Sequence, residues 1–185
     1  MATSAAEHID MPLGVVVRKT PGATRWARWY WRAVAAVPGA ARADWTELRR
    51  EGEAVEYHAA TLTLWLWGSD AEAYLVNLAD RTPSIYVISR SRPGAEHPLL
   101  PVMVTAAPYE AQDYAESGED VVDKVPMSDG LIAWVRDFAQ AHHRGEGFVK
   151  RRRDRLATDR VEDGKGDARI RQVSDVFRAP RRDAP

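Results

Sequence analysis

The sequence predicts an α+β domain with a mostly antiparallel, twisted sheet, one or two packed helices and a disordered basic C-terminal tail. Several strand-like segments precede the first helix, so the chain lacks the strand–helix alternation of a doubly wound parallel sheet. Later segments have the apolar spacing of amphipathic helices. Residues 150–185 are about half charged and lack an apolar pattern, which is typical of disordered segments.

Four segments in the first half of the chain predict strands, through β-branched runs or period-two alternation. They are residues 12–19, residues 29–37, a hairpin over residues 45–60, and residues 61–67. Pro21-Gly22 predicts a turn after the first of them.

The segment "TLTLWLW" (residues 61–67) has the clearest alternation in the chain. Its three leucines would lie on one face of a strand and Trp65 and Trp67 on the other. If the leucine face packs on the core, the tryptophan face must be covered by a helix or by a partner.

Three segments further along the chain predict helices, over residues 69–80, 109–117 and 128–143. Ser69 and Glu72 have the spacing of a capping box at the start of the first helix. Residues 84–90 and 99–107 predict further strands, and residues 119–127 an extended segment.

The length of 185 residues suits one folded domain. We expect a flexible leader over residues 1–11, a single α+β domain over residues 12–149, and a charged, mostly disordered tail over residues 150–185.

Composition excludes several kinds of chemistry. The chain has no cysteine, which excludes disulfides, thiolate nucleophiles and thiolate-held zinc or iron–sulfur clusters. His142 and His143 are adjacent on a predicted helix and point about 100° apart, so they do not form a metal site. Neither G-x-S-x-G nor G-x-G-x-x-G occurs. The sequence therefore predicts no cofactor, no metal and no catalytic residue. The absence of a secretory signal or an apolar span favours the cytoplasm and no membrane association.

Charge is distributed unevenly along the chain. Residues 41–126 carry seven Lys/Arg against fifteen Asp/Glu, whereas residues 127–185 carry fourteen against ten. The basic segment "FVKRRRDR" (residues 148–155) is a candidate for binding a partner or an anion. Its candidate contact residues are Phe148, Lys150, Arg151, Arg152, Arg153 and Arg155. Alternatively, the segment is simply solvated, or docks on the acidic part of its own chain. Binding of single-stranded nucleic acid is disfavoured because no aromatic residues interleave with the arginines.

Seven tryptophans are many for this length. In "RWARWYW" (residues 25–31) the neighbouring arginines suggest cation–π contacts. One interpretation is an exposed aromatic surface for a partner, because Trp, Tyr and Arg dominate interface hot spots. The candidate residues for that surface are Trp26, Trp29, Trp65 and Trp67. The other interpretation is that the rings fill a small core and cover a face of the sheet.

Several segments in order, among them "PLGVVVRK", "WRAVAAVPGA", "HAATLTLWLW", "DAEAYLVNL", "PSIYVISR" and "FVKRRRDR", resemble a bacterial family of unknown function. The resemblance covers roughly residues 11–155. Members are often encoded near genes for molybdenum-dependent formate dehydrogenase, and some are labelled molybdopterin-guanine dinucleotide biosynthesis protein A. That label implies a glycine-rich nucleotide loop after the first strand. Here "RKTPGATRW" follows that strand and is not such a loop, so the sequence does not support the label. The family offers no catalytic residues to carry over.

Three functional hypotheses follow. The first is a non-catalytic accessory protein that binds formate dehydrogenase or its maturation factors. The second is an enzyme of molybdenum cofactor biosynthesis that acts on a nucleotide or pterin phosphate. The third is nucleic-acid binding through the basic segment.

Overall fold

The computed structural model describes residues 7–24 and 27–143. Its strands are β1 (His8–Thr24), β2 (Ala27–Pro38), β3 (Asp44–Glu51), β4 (Ala54–Trp67), β5 (Ser84–Ser91), β6 (Leu99–Thr105) and β7 (Asp120–Pro126). Its α-helices are α1 (Ala71–Leu78), α2 (Pro108–Ser117) and α3 (Asp129–His142), and a 3₁₀ turn, Gly68–Asp70, directly precedes α1.

The first four strands form an antiparallel sheet in the order β2-β1-β4-β3. Its two central strands are long, with 17 residues in β1 and 14 in β4. The register of β1 shifts between Val15 and Val16 against β4, and between Val16 and Val17 against β2. Such bulges increase the local twist, so the long strands bend instead of running flat.

The last three strands form a second antiparallel sheet in the order β6-β5-β7. β6 lies against β4, β7 lies against β2, and α1 packs on α3. One apolar core joins both sheets, α1 and α3; its largest fully buried members include Leu13, Leu64, Leu66, Tyr74, Ile85 and Leu131. The helix α2 packs against the second sheet.

A single buried amide ties α1 to the second sheet. The Nδ2 of Asn77 donates to the carbonyl oxygens of Ser84 and Ala106, both at 2.7 Å, and its Oδ1 accepts from the Ser84 amide at 3.1 Å. A buried amide with these partners carries little desolvation penalty. Asn77 therefore sets the position of α1 relative to β5 and β6.

The predicted α+β fold of antiparallel strands and packed helices is confirmed, with two sheets instead of one. β1 begins at His8, so residues 8–11, which the sequence predicts to be leader, pair with β4. The turn predicted at Pro21-Gly22 is wrong, because β1 continues to Thr24. Beyond Lys19, β1 pairs with β2 alone, and a strand with one open side tolerates a proline.

The capping box predicted at Ser69 and Glu72 is also wrong. Ser69 lies in the 3₁₀ turn, its Oγ donates to Oδ1 of Asp70, and α1 starts only at Ala71. The third predicted helix is present, and its Leu131, Val135 and Phe138 are buried. The end of the domain at residue 149 and the tail over residues 150–185 lie outside the described residues.

Candidate functional site

Two tryptophans lie exposed on the outer face of the four-stranded sheet. The alternation along β4 buries Leu64 and Leu66 completely, whereas Trp65 and Trp67 remain 43% and 45% exposed. The predicted division of this strand into a leucine face and a tryptophan face is therefore confirmed. Exposed large aromatic rings are unusual on a protein surface and often mark a contact site.

The two indoles form a continuous aromatic surface with the adjoining imidazole of His8. We call Trp65 and Trp67 the tryptophan pair. The indole centroids are 5.9 Å apart with their planes at 23°. His8 is the cross-strand neighbour of Trp67, and its ring lies 4.8 Å from that indole and 5.5 Å from Trp65. Cross-strand pairing thus holds three rings together at the start of β1.

The backbone beneath the tryptophan pair is held by two contacts outside the sheet ladder. The amide of Trp67 donates to the hydroxyl oxygen of the buried Tyr74 at 3.0 Å, and the amide of Gly68 donates to the Glu7 carbonyl at 2.8 Å. Burial raises the pKa of Tyr74 to about 12, so its hydroxyl is neutral at physiological pH. The pair is therefore presented on a fixed platform.

The segments that build this platform carry only negative formal charge. Residues 7–17 and 51–80 contain no lysine or arginine. Asp10 is the cross-strand neighbour of Trp65, and Asp70 lies three residues after Trp67. The tryptophan pair is consequently bordered by carboxylates.

A second aromatic group, the ring cluster, comprises Trp31, Trp45, Tyr57 and His97. The first three come from strands of the four-stranded sheet, and His97 from the connection between β5 and β6. The rings of Trp45 and His97 are parallel within 6°, with centroids 3.9 Å apart. Trp31 stacks on Tyr57 at 6.0 Å and meets His97 edge-on at 5.9 Å. All four rings are partly buried, and each is covered in part by the other rings of the cluster.

Trp45 has a strained backbone. Its φ of 49° is the only positive value among the described residues other than glycine. A bulky residue in this region is a genuine outlier, at a cost on the order of 1–3 kcal/mol. The stacking of its indole on His97 offsets part of that cost.

Basic side chains accompany the ring cluster. The Nζ of Lys19 lies 4.1 Å from the ring centroid of Trp29 and 5.4 Å from that of Trp31, and the guanidinium of Arg28 lies 5.9 Å from Trp29. The predicted cation–π contact within "RWARWYW" is thus present for Arg28. The closer contact of Lys19 comes from β1, and only the pairing of β1 with β2 reveals it.

One carboxylate joins the two sheets beside the ring cluster. The Ala33 amide on the edge strand β2 donates to Oδ2 of Asp123 on β7 at 2.8 Å. Burial raises the pKa of Asp123, while the Ala33 amide and the charge of Arg32 act in the opposite direction. This contact fastens the edge strand β2 to the second sheet.

The structure brings together some of the predicted site residues and separates others. Trp65 and Trp67 adjoin, whereas Trp29 lies with Lys19 near the far end of β1. Trp26 and the segment from Phe148 to Arg155 lie outside the described residues. Sequence reasoning assigned no site role to His8, Trp45, Tyr57 or His97. A predicted β1 that began at His8 instead of residue 12 would have placed His8 and Asp10 on one face of the strand. Pairing of that strand with β4 would then have suggested that both face Trp65 and Trp67.

The described residues offer little that converges for chemistry. In residues 7–24 and 27–143 no three His, Asp or Glu side chains come close enough together to hold a metal ion. A shallow depression is lined by Arg18, Arg49, Glu51, Ala54 and Glu56, where Arg18 pairs with Glu56 at 3.8 Å and Arg49 with Glu51 at 3.1 Å. No helix within the described ranges has the length and apolarity needed to cross a bilayer.

Comparison with known proteins adds one relationship. Residues 12–152 match a family described as "Protein of unknown function (DUF3305)". The comparisons with curated proteins and with solved structures found no match. The family match spans about three quarters of the chain and includes the described strands and helices apart from the first four residues of β1. The chain therefore belongs to this family of proteins of unknown function.

Proposed function

We propose that the chain is a non-catalytic accessory protein that binds another protein through the tryptophan pair. The observation that carries the proposal is the exposure of Trp65 and Trp67 on a fixed platform. Tryptophan is enriched among residues that dominate binding energy, and a ring held rigidly loses little conformational entropy on binding.

We further propose that the partner is a molybdenum-dependent formate dehydrogenase or one of its maturation factors. The support for this step is that several segments, in the same order along the chain, resemble proteins encoded beside formate dehydrogenase genes. A cysteine-free chain suits a role in which the chain handles a polypeptide and does not itself carry an iron–sulfur cluster.

Affinity capture tests both steps. The tagged full-length chain and its Trp65→Ala/Trp67→Ala variant are used as baits in native lysate from cells growing on formate, and captured proteins are quantified by mass spectrometry. We expect the variant to retain about a tenth or less of the formate dehydrogenase polypeptides held by the wild type, because hot-spot truncations cost about 2 kcal/mol or more. Circular dichroism of the variant checks that the fold is retained.

Two other exposed aromatic residues provide matched controls. Tyr30 on β2 is 55% exposed and Tyr109 on α2 is 59% exposed, and both lie outside the tryptophan pair. Their alanine variants should capture as much formate dehydrogenase as the wild type. Equal capture by the wild type and the double tryptophan variant would contradict the binding role. Capture of unrelated proteins alone, abolished in the variant, would contradict the choice of partner.

The basic segment is proposed to contribute to the same capture through Phe148, Arg151, Arg152 and Arg153. Reversing the charge of the three arginines to glutamate tests it in the same assay. A guanidinium pairs with carboxylates through parallel hydrogen bonds, so we expect weaker capture. Unchanged capture would remove the segment from the proposal.

A further inference from the structure

We infer that the tryptophan pair receives a cationic segment of the partner, one that presents arginine or lysine side chains. This inference rests on the proposed function and specifies the chemistry of its contact. It follows from the charges that border the pair, from ring faces over which no described lysine or arginine lies, and from a cation–π contact that the same sheet makes elsewhere.

The charges around the pair are unbalanced. Glu7, Asp10 and Asp70 lie next to the pair in sequence or across the strand pairing, and none of the three forms an ion pair with a described residue. Glu7 and Asp10 are exposed. Exposed carboxylates that form no ion pair within the described part of the chain attract a positively charged partner and repel an anionic one.

The indoles themselves are suited to a cation. Within the described residues, no lysine or arginine lies over Trp65 or Trp67. At the far end of β1, by contrast, Lys19 lies over Trp29 at 4.1 Å. The attraction comes from the electron-rich face of the ring and strengthens when water is excluded. Among the described residues, the tryptophan pair thus presents only the aromatic half of a contact that is complete around Lys19.

Other occupants fit this surface less well. A second copy of the chain would place like-charged carboxylates opposite each other in a symmetric contact, which is unfavourable. A phosphate group or a nucleic acid would meet the same carboxylates. A purely apolar partner would bury Asp10 beside Trp65 without a compensating charge.

Titration of the purified, ¹⁵N-labelled full chain with a capped Gly-Arg-Gly-Arg-Gly-Arg-Gly peptide tests the inference. The indole Nε1–H signals are followed by NMR and assigned with the Trp65→Phe and Trp67→Phe variants. We expect those two signals to shift the most among the seven tryptophans. Affinity should fall at about 0.5 M salt, since screening shortens the reach of surface charges. The corresponding Gly-Glu peptide should leave both signals in place.

Two matched triple variants separate local charge from net charge. Glu7→Gln/Asp10→Asn/Asp70→Asn neutralises the border of the pair, and Glu53→Gln/Glu116→Gln/Glu119→Gln neutralises three exposed carboxylates elsewhere. We expect the first variant to bind the arginine peptide about tenfold more weakly and the second to bind like the wild type. Equal weakening by both variants would overturn the inference, as would an arginine peptide that shifts neither signal.

The outcomes also distinguish this inference from the proposed function. If the Trp65→Ala/Trp67→Ala variant loses formate dehydrogenase capture but the arginine peptide leaves both indole signals unmoved, the binding role stands and the cationic contact is wrong. If the peptide shifts both signals but capture is independent of the two tryptophans, the cationic site stands and the proposed function is wrong.

Discussion

The tryptophan pair and the ring cluster use the same residue types at opposite ends of one sheet, yet they differ in burial and charge. The ring cluster is completed by His97 from the connection between β5 and β6, whose imidazole stacks on Trp45. The tryptophan pair lies on the outer face, where the one further ring that joins it within the described residues is His8 of the neighbouring strand. A group of rings covered by a second layer forms part of the core, whereas one that no described element covers can meet a partner.

The largest expected difference lies in what each group contributes to stability. Trp31→Ala should lower the free energy of unfolding by about 3 kcal/mol, because a packed aromatic ring is replaced by a cavity. Trp65→Ala should lower it by less than about 1 kcal/mol, because much of its ring already lies in water. Urea denaturation of both variants measures this difference. Equal losses would show that the tryptophan pair is structural and would break the comparison.

The platform beneath the tryptophan pair is tested by Tyr74→Phe. This variant removes the acceptor of the Trp67 amide and should cost about 1–2 kcal/mol, the penalty for an unpaired donor. Because the pKa of Tyr74 is raised to about 12, its contribution to stability is complete below pH 10 and is lost as the pH rises through 12. The difference in unfolding free energy between wild type and variant should therefore narrow over that interval. A constant difference would contradict the assignment.

The link between the sheets is tested at Asp123. Asp123→Ala leaves the Ala33 amide without its acceptor and should cost about 1–2 kcal/mol, whereas Asp123→Asn retains an acceptor and should cost less. The pKa of Asp123 is raised from its ordinary value of 3.8, so its contribution is complete below that pH and is lost as the pH rises through the folded-state pKa. In denaturation experiments from pH 3 upwards, the free energy of unfolding of the asparagine variant should rise relative to that of the wild type. If the asparagine variant instead became less stable relative to the wild type as the pH rises, the raised pKa of Asp123 would be contradicted.

The smallest effect concerns the backbone of Trp45. Both Trp45→Ala and Trp45→Gly remove the stack on His97, but only glycine adopts a positive φ freely. The glycine variant should therefore be the more stable of the two by about 1 kcal/mol, as measured by thermal and urea denaturation. A more stable alanine variant would mean that the backbone relaxes when the indole is removed, and that the ring cluster itself imposes the strain.

Local patterns predicted most of the secondary structure, because the determining contacts lie within a few residues. The alternation around Leu64 and Leu66 predicts both the buried and the exposed face of β4, and the spacing of Leu131, Val135 and Phe138 predicts the buried face of α3. The errors arose where a distant element decides. Pro21 remains in a strand because β1 has a neighbouring strand, β2, on one side only at this point. The missing N–H of proline therefore need not break a ladder hydrogen bond.

The ring cluster could not be predicted in the same way. Trp45 and His97 are 52 positions apart in sequence, and their stack depends on how the β5–β6 connection meets the first sheet. Even the number of sheets was beyond sequence patterns, because period-two alternation states which face is apolar and not which strands share a ladder.

By itself the amino-acid sequence determined the strand and helix content, the absence of thiol chemistry and the outward direction of Trp65 and Trp67, because these depend on composition and on side-chain periodicity within one element. Only the tertiary structure decided that His8 joins those tryptophans, that Lys19 covers Trp29 and that His97 closes the ring cluster. Each of these contacts joins residues on different elements, and their distances are set by strand register and by the packing of one sheet on the other.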